Sequence, residues 1–107
     1  MAKVFVTQYT KNLNFAEASN YGEVVFLTKE EYRPEPVVGG VNERVTAQIL
    51  AGMSDYIPGT DFIITTGSAI PNVVVGVILA RHLGRHNILK WNNRYDRYEL
   101  FKIQIGV

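Results

Sequence analysis

The sequence predicts an α/β domain: a mostly parallel sheet flanked by helices, closed at its C-terminal end by an antiparallel hairpin. Three observations carry this. Short β-branched and aromatic runs (Lys3–Thr7, Glu23–Thr28, Asp61–Thr66) alternate with helical patterns, as in a parallel sheet covered by helices. The last two apolar runs are separated by a short polar turn, as in a hairpin. The chain has 107 residues, 47% hydrophobic and 20% charged, the size and balance of one globular domain spanning 1–107.

Taken in order, Lys3-Val4-Phe5-Val6-Thr7 is a strand by its β-branched and aromatic content. Between Asn12 and Gly22 a helix of about two turns is expected: Asn14 caps it, Glu17 holds the capping-box position, and Gly22 is a C′ stop. Glu23 to Thr28 is a second strand, apolar enough to be an inner one. Lys29 to Gly40, with Pro34, Pro36 and Gly39-Gly40, is a loop. Asn42 should cap a second helix running to about Asp55, with Val45, Ile49 and Met53 on one face, before Pro58-Gly59 breaks the chain. Asp61 to Thr66 is the third strand. A third helix follows, with Pro71 near its first turn, and runs through His82 to Gly84. It is apolar on nearly every side, so the sheet should cover one side and another helix or subunit the other. The hairpin reads as Asn87–Trp91, a turn at Asn92-Asn93-Arg94 whose asparagines tolerate left-handed backbone, and Tyr98–Ile105.

Charge and composition narrow the function. A net charge of +1 lacks the basic bias of a dedicated DNA-binding domain. With no cysteine there are no disulfides, thiolate zinc sites, iron–sulfur clusters or cysteine nucleophile, which fits a cytoplasmic setting. The first residues hold no long apolar stretch ending in a small-residue cleavage site, so no signal peptide is expected. The most apolar run, Ile70 to Leu83, is about 14 residues against the roughly 20 a membrane span needs, so no membrane association is expected.

The strongest local signal is Thr65-Thr66-Gly67-Ser68-Ala69-Ile70-Pro71. A strand there delivers the chain to a glycine and a helix start, whose free amides and dipole suit an anion at the carboxyl edge of the sheet. The plainer reading makes Gly67 a tight turn and Ser68 an ordinary cap; no Walker lysine follows, and Gly67 stands alone. The stretch from Lys90 to Tyr98 interleaves cations, amides and rings at a hairpin tip. Those groups suit a nucleotide: a ring for the base, Asn92 for its edge, Arg94 for phosphate. Equally, Trp91 packs in the core while Asn92-Asn93 shape the turn. Arg44 and Arg33 are candidates to close over a ligand or ordinary surface arginines. Phe15 and Tyr21 offer stacking faces or core packing. His82 and His86, near a helix end, have no neighbouring carboxylate that would complete a metal site. Ser68 lacks the G-x-S-x-G context of a nucleophile. Neither a cofactor nor a catalytic residue is indicated.

Several of these segments together resemble a known family. The opening Lys3–Thr7, Asn14-Phe15-x-x-Ala18, Tyr21-Gly22-Glu23-Val24-Val25-Phe26-Leu27-Thr28, the Thr66-Gly67-Ser68 turn and the Lys90-Trp91-Asn92 hairpin look like the first Thoeris anti-defence family of phage proteins. The resemblance implies a non-enzymatic sponge in the host cytoplasm that binds cyclic ADP-ribose isomers, in some members also cyclic oligonucleotides. It also implies a homo-oligomer with pockets between subunits. Carried over, the contacts would be an aromatic near Phe15, an arginine such as Arg44, and Asn92 with the cations after it. The residues themselves leave two other classes open, a small nucleotide-processing enzyme and a nucleic-acid or protein-binding accessory module.

Overall fold

A computed structural model describes residues 2–11 and 13–106. Asn12, at the head of the segment expected to form the first helix, lies outside the described residues. The elements run β1 (Lys3–Val6), α1 (Phe15–Ser19), β2 (Glu23–Phe26), α2 (Val41–Gly52), β3 (Phe62–Ile64), α3 (Ala69–Leu79), β4 (Gly84–Asn92) and β5 (Arg97–Ile105). The five strands form one sheet in the order β2-β1-β3-β4-β5. The first three pairings are parallel, and β4 and β5 are antiparallel. This is the α/β architecture that the alternating pattern predicts.

Alternation along the strands splits the interior into two cores. Phe5 and Ile63 face α2 and α3, packing with Val45, Ile49, Val75 and Ile78. Val4, Val6, Ile64 and Leu89 face the opposite way, toward Ala18 of α1 and the Tyr98 ring. Phe5 and Ile49 are fully buried on the first side, Val4 and Leu89 on the second.

Three strands stop short of their expected ends, each near a threonine whose hydroxyl enters the local hydrogen bonding. Thr66 N–H donates to Thr7 Oγ1 (3.2 Å), and Glu30 N–H donates to Thr28 Oγ1 (3.1 Å). β2 is not an inner strand but an edge of the sheet, its Val24, Val25 and Phe26 only half-buried. It carries apolar residues because the rings of Tyr9 and Phe15 pack edge-on against Phe26, at 5.1 and 5.2 Å, in place of a neighbouring strand.

Asn14 caps α1 as expected, accepting from Glu17 N–H at 3.0 Å, but the helix is only five residues long. Asn42 does not cap α2. The cap position is Gly40, in the left-handed region at φ 64°, where a side chain is strained. Asn42 instead pins the proline loop, accepting from Arg33 N–H (2.9 Å) and donating to Arg33 O (3.0 Å). α2 also ends before Asp55, whose carboxylate is drawn to Lys3. At the hairpin the left-handed residue is Asp96 (φ 49°), not Asn92 or Asn93; Asn92 shapes the turn through its side chain, accepting from Arg94 N–H at 2.9 Å. His86 belongs to β4 rather than to the end of α3, and is buried against the Tyr56 ring. No described helix is long and apolar enough to cross a membrane.

Candidate functional site

With β1 and β3 adjacent and their crossovers diverging to β2 and β4, the carboxyl ends of these strands form the switch point where open α/β sheets leave a crevice. The loop after β1 leads to the single short helix α1, and the loop after β3 leads to α3 on the other face. A cavity of about 290 Å³ lies between them, lined by Thr10, Leu13, Asn14, Ile64, Thr65, Thr66, Gly67, Trp91 and Tyr98.

Its floor is held from below. Asn72, in the first turns of α3, donates to Thr66 O (2.6 Å) and accepts from the Thr7 hydroxyl (2.6 Å). Since that uses the one Thr7 proton, the 3.1 Å contact between the Thr7 and Thr66 hydroxyls has Thr66 as donor. Thr66 is thereby fixed to β1 and α3 at once.

The wall toward the hairpin is aromatic. Trp91 and Tyr98 pair across the β4–β5 ladder and meet edge-on, centroids 4.9 Å apart at 73°. Tyr21 stands edge-on to Tyr98 behind it, at 6.3 Å. Burial, and after it the charge of Glu17 and the neighbouring Tyr21, push the Tyr98 phenol above its ordinary value, so it is protonated at neutral pH. Among the described residues, the lining holds no carboxylate, imidazole, ammonium or guanidinium group.

Next to this wall α3 begins uncapped. Ser68 is the cap residue, with extended backbone, but its side chain makes no cap hydrogen bond. Helix geometry leaves the Ala69 and Ile70 amides without intrahelical acceptors, and Pro71 brings no N–H. The corner thus offers two amides without intrahelical acceptors and a serine hydroxyl beside an apolar and hydroxyl-lined pocket.

Of the residues the sequence singles out, Thr66 and Gly67 line the pocket, and Ser68 adjoins it at the head of α3. Phe15 heads α1 but packs over Phe26 toward β2. Arg44 lies by the end of β2, gripping Glu30 through Nε (2.9 and 3.2 Å) and Nη2 (2.8 Å). Gln48 adds a bond to the same carboxylate (2.9 Å), and together they hold Glu30 down to about 2. The hollow there, about 530 Å³, is larger than the pocket, but its Glu30 is committed to Arg44 and its Lys29 lies over the Tyr9 ring, 5.6 Å from the centroid. Asn92 is half-buried at the end of β4, and Arg94 is exposed at the tip. Neither belongs to the lining. Arg33 faces Ile70 across a separate hollow on the far side of the start of α3.

Thr10, Leu13 and Asn14 escape the sequence reading as pocket residues, Asn14 being read only as a cap. The signal available was positional: in a sheet with a switch point, the loop after β1 lines the crevice as surely as the loop after β3.

No curated protein and no solved structure matches the chain. A family model described as Phage Pam3 gp32-like protein matches residues 2–105, nearly the whole length, and the chain therefore belongs to that family of phage proteins.

Proposed function

We propose that this phage protein binds a nucleotide-derived small molecule in the pocket between the α1 loop and the β3–α3 turn, and holds it without cleaving it. The role would be that of a sponge for a host immune signal such as a cyclic ADP-ribose isomer. The observation that carries the reading is the juxtaposition of the Trp91–Tyr98 wall with the uncapped start of α3. A base stacks on the ring, and a phosphate lies over the Ala69 and Ile70 amides beside the Ser68 hydroxyl. Binding without turnover is supported by the lining, where threonine, asparagine and protonated Tyr98 give hydrogen bonds but no general base. A cavity of about 290 Å³ fits a base and its ribose, so the rest of a larger cyclic ligand would lie over the turn. The phage family and the resemblance to Thoeris anti-defence proteins supply the biological direction.

Sequestration at mid-nanomolar affinity requires roughly −10 to −11 kcal/mol. Base stacking contributes about 1–3 kcal/mol of that, which makes Trp91 the residue to remove. Cyclic ADP-ribose isomers and cyclic di- and trinucleotides should be titrated by calorimetry and thermal shift, with Trp91→Ala alongside. A raised melting temperature that Trp91→Ala abolishes is expected, with the ligand recovered intact by chromatography after heat release. No shift at saturation with any of these, or equal binding by Trp91→Ala, would end the reading; recovery of fragments would replace the sponge with an enzyme.

A further inference from the structure

We propose that the outer face of α2 and α3 is a self-association surface, on which a second copy of this chain packs antiparallel about a two-fold axis. The face lies across the sheet from the Trp91–Tyr98 pocket, and the proposal does not depend on what that pocket binds.

α3 carries no charged residue between Ala69 and Leu79. Its inner side, Pro71, Val75, Ile78 and Leu79, is buried. Its outer side is equally apolar and uncovered: Ile70, Val73 and Val77 are 52%, 62% and 56% exposed, joined by Leu50 of α2 at 46%. The spacing of 70, 73 and 77 is one continuous helical stripe. Gly76 lies within it, with open space where a Cβ would stand, and Ala80 is exposed at its end, so a partner helix meets no bulky obstruction. A hollow of about 230 Å³ runs beside the stripe between Leu50, Val73 and Val77, with Arg81 at one end. A second hollow adjoins it across Thr46 and Leu50, with Glu43 in its wall. Ridge beside groove is the relief that helix pairs interlock through. Contiguous exposed apolar surface of this kind marks interaction sites on soluble domains.

Charge chooses the partner and its direction. β2 and β3 are both parallel to β1, and each delivers the chain to its helix at the same edge of the sheet, so α2 and α3 run side by side in one direction. Glu43 therefore marks the amino end of the apolar patch, in the first turn of α2, and Arg81 its carboxyl end, just past α3. Neither has an ion-pair partner among the described residues. Arg33 and Glu35, which line a neighbouring hollow at the amino end, carry opposite formal charges. An antiparallel two-fold brings Arg81 of each copy to Glu43 of the other, twice, around an apolar centre. A parallel approach sets like charges together at both ends, and an unrelated apolar helix would not satisfy both charges at once.

Light scattering on size-exclusion fractions at micromolar concentration should give twice the monomer mass, with ligand absent. Val73→Glu, on an exposed position, should weaken the dimer at least about tenfold while leaving the melting temperature of the monomer near that of the parent. Glu43→Arg and Arg81→Glu should each weaken it, and the doubly exchanged protein should regain the parent affinity. A monomer across the micromolar range overturns the proposal. So does a dimer indifferent to Val73→Glu, which would move the contact to another surface such as the β5 edge, or a charge exchange without rescue, which would refute the antiparallel arrangement.

Discussion

The two faces of the sheet are covered in different ways. On one, helices of 12 and 11 residues lay aliphatic side chains over Phe5 and Ile63. On the other, a helix of five residues covers a small part and aromatic rings do the rest. Two full helices close a face to solvent and leave their surplus apolar surface outside, on the α3 stripe. One short helix and a few rings meet at edges, and between the rings and the loops a cavity remains. The thinly covered face is thus the one with room for the proposed ligand, and the thickly covered face is where stability is expected to reside.

The sharpest way to break this comparison is Phe5→Ala. Phe5 is fully buried, edge-on to Tyr56 at 5.9 Å, in the helix-covered core. Its truncation should cost about 3–5 kcal/mol by urea unfolding. Trp91→Ala, on the half-buried wall of the pocket, should cost clearly less. If the two losses are equal, stability is not concentrated under α2 and α3, and the contrast between the faces fails.

Next in size is Tyr56→Phe. His86, only 1% exposed, has its Nε2 2.8 Å from His82 O, and a carbonyl accepts only. In the neutral ring Nδ1 is then the acceptor, taking the Tyr56 hydroxyl proton. Burial, with the nearby Asp61 charge, pushes that phenol up to about 12. Removing the hydroxyl leaves a buried nitrogen unpaired, at about 1–3 kcal/mol. A neutral result in thermal and urea unfolding would mean that water reaches His86 and that the closed face is less closed than it looks.

How much of this was legible in the sequence follows the same division. The α/β order, the Asn14 cap, the Val45–Ile49–Met53 stripe and the Thr66-Gly67 turn depend on neighbours within a turn or two, and local pattern carries them. The edge position of β2 does not, because Phe26 is sheltered by Tyr9 and Phe15 rather than by a strand. Asn42 has the composition of a cap, yet bonds to Arg33 nine residues back. Arg44 sat on a plausible face for a ligand, but Glu30, fourteen residues earlier, claims it. A third of the pocket lining, Thr10, Leu13 and Asn14, comes from the loop after β1, whose residues carry no ligand-binding motif and acquire that meaning only once β1 lies beside β3.

A subtler effect is expected at the pocket floor. Asn72→Ala removes both bonds that tie Thr66 and Thr7 to α3. Stability should fall by about 1–2 kcal/mol, and binding to the pocket should weaken even though Asn72 is not in its lining. A loss of stability with ligand affinity unchanged would show that the turn keeps its shape without this support.

The smallest effect tests the charges on the helix-covered side. Glu30 is held down to about 2 from an ordinary value of 4.5, first by Arg44 and then by Gln48. A carboxylate depressed in the folded state stabilises it fully above its unfolded value, and that contribution drains away as pH falls from about 4.5 toward 2. Arg44→Ala should therefore lower the melting temperature slightly at neutral pH, and the two curves should converge across that acid window. Lys3 and Asp55 are unchanged in both proteins and cancel from the difference. Because the pair is solvent-exposed, added salt should also shrink the gap at neutral pH. Curves that stay parallel down to pH 2 would mean that Arg44 acts through its aliphatic stem rather than its charge, leaving the guanidinium available to other partners.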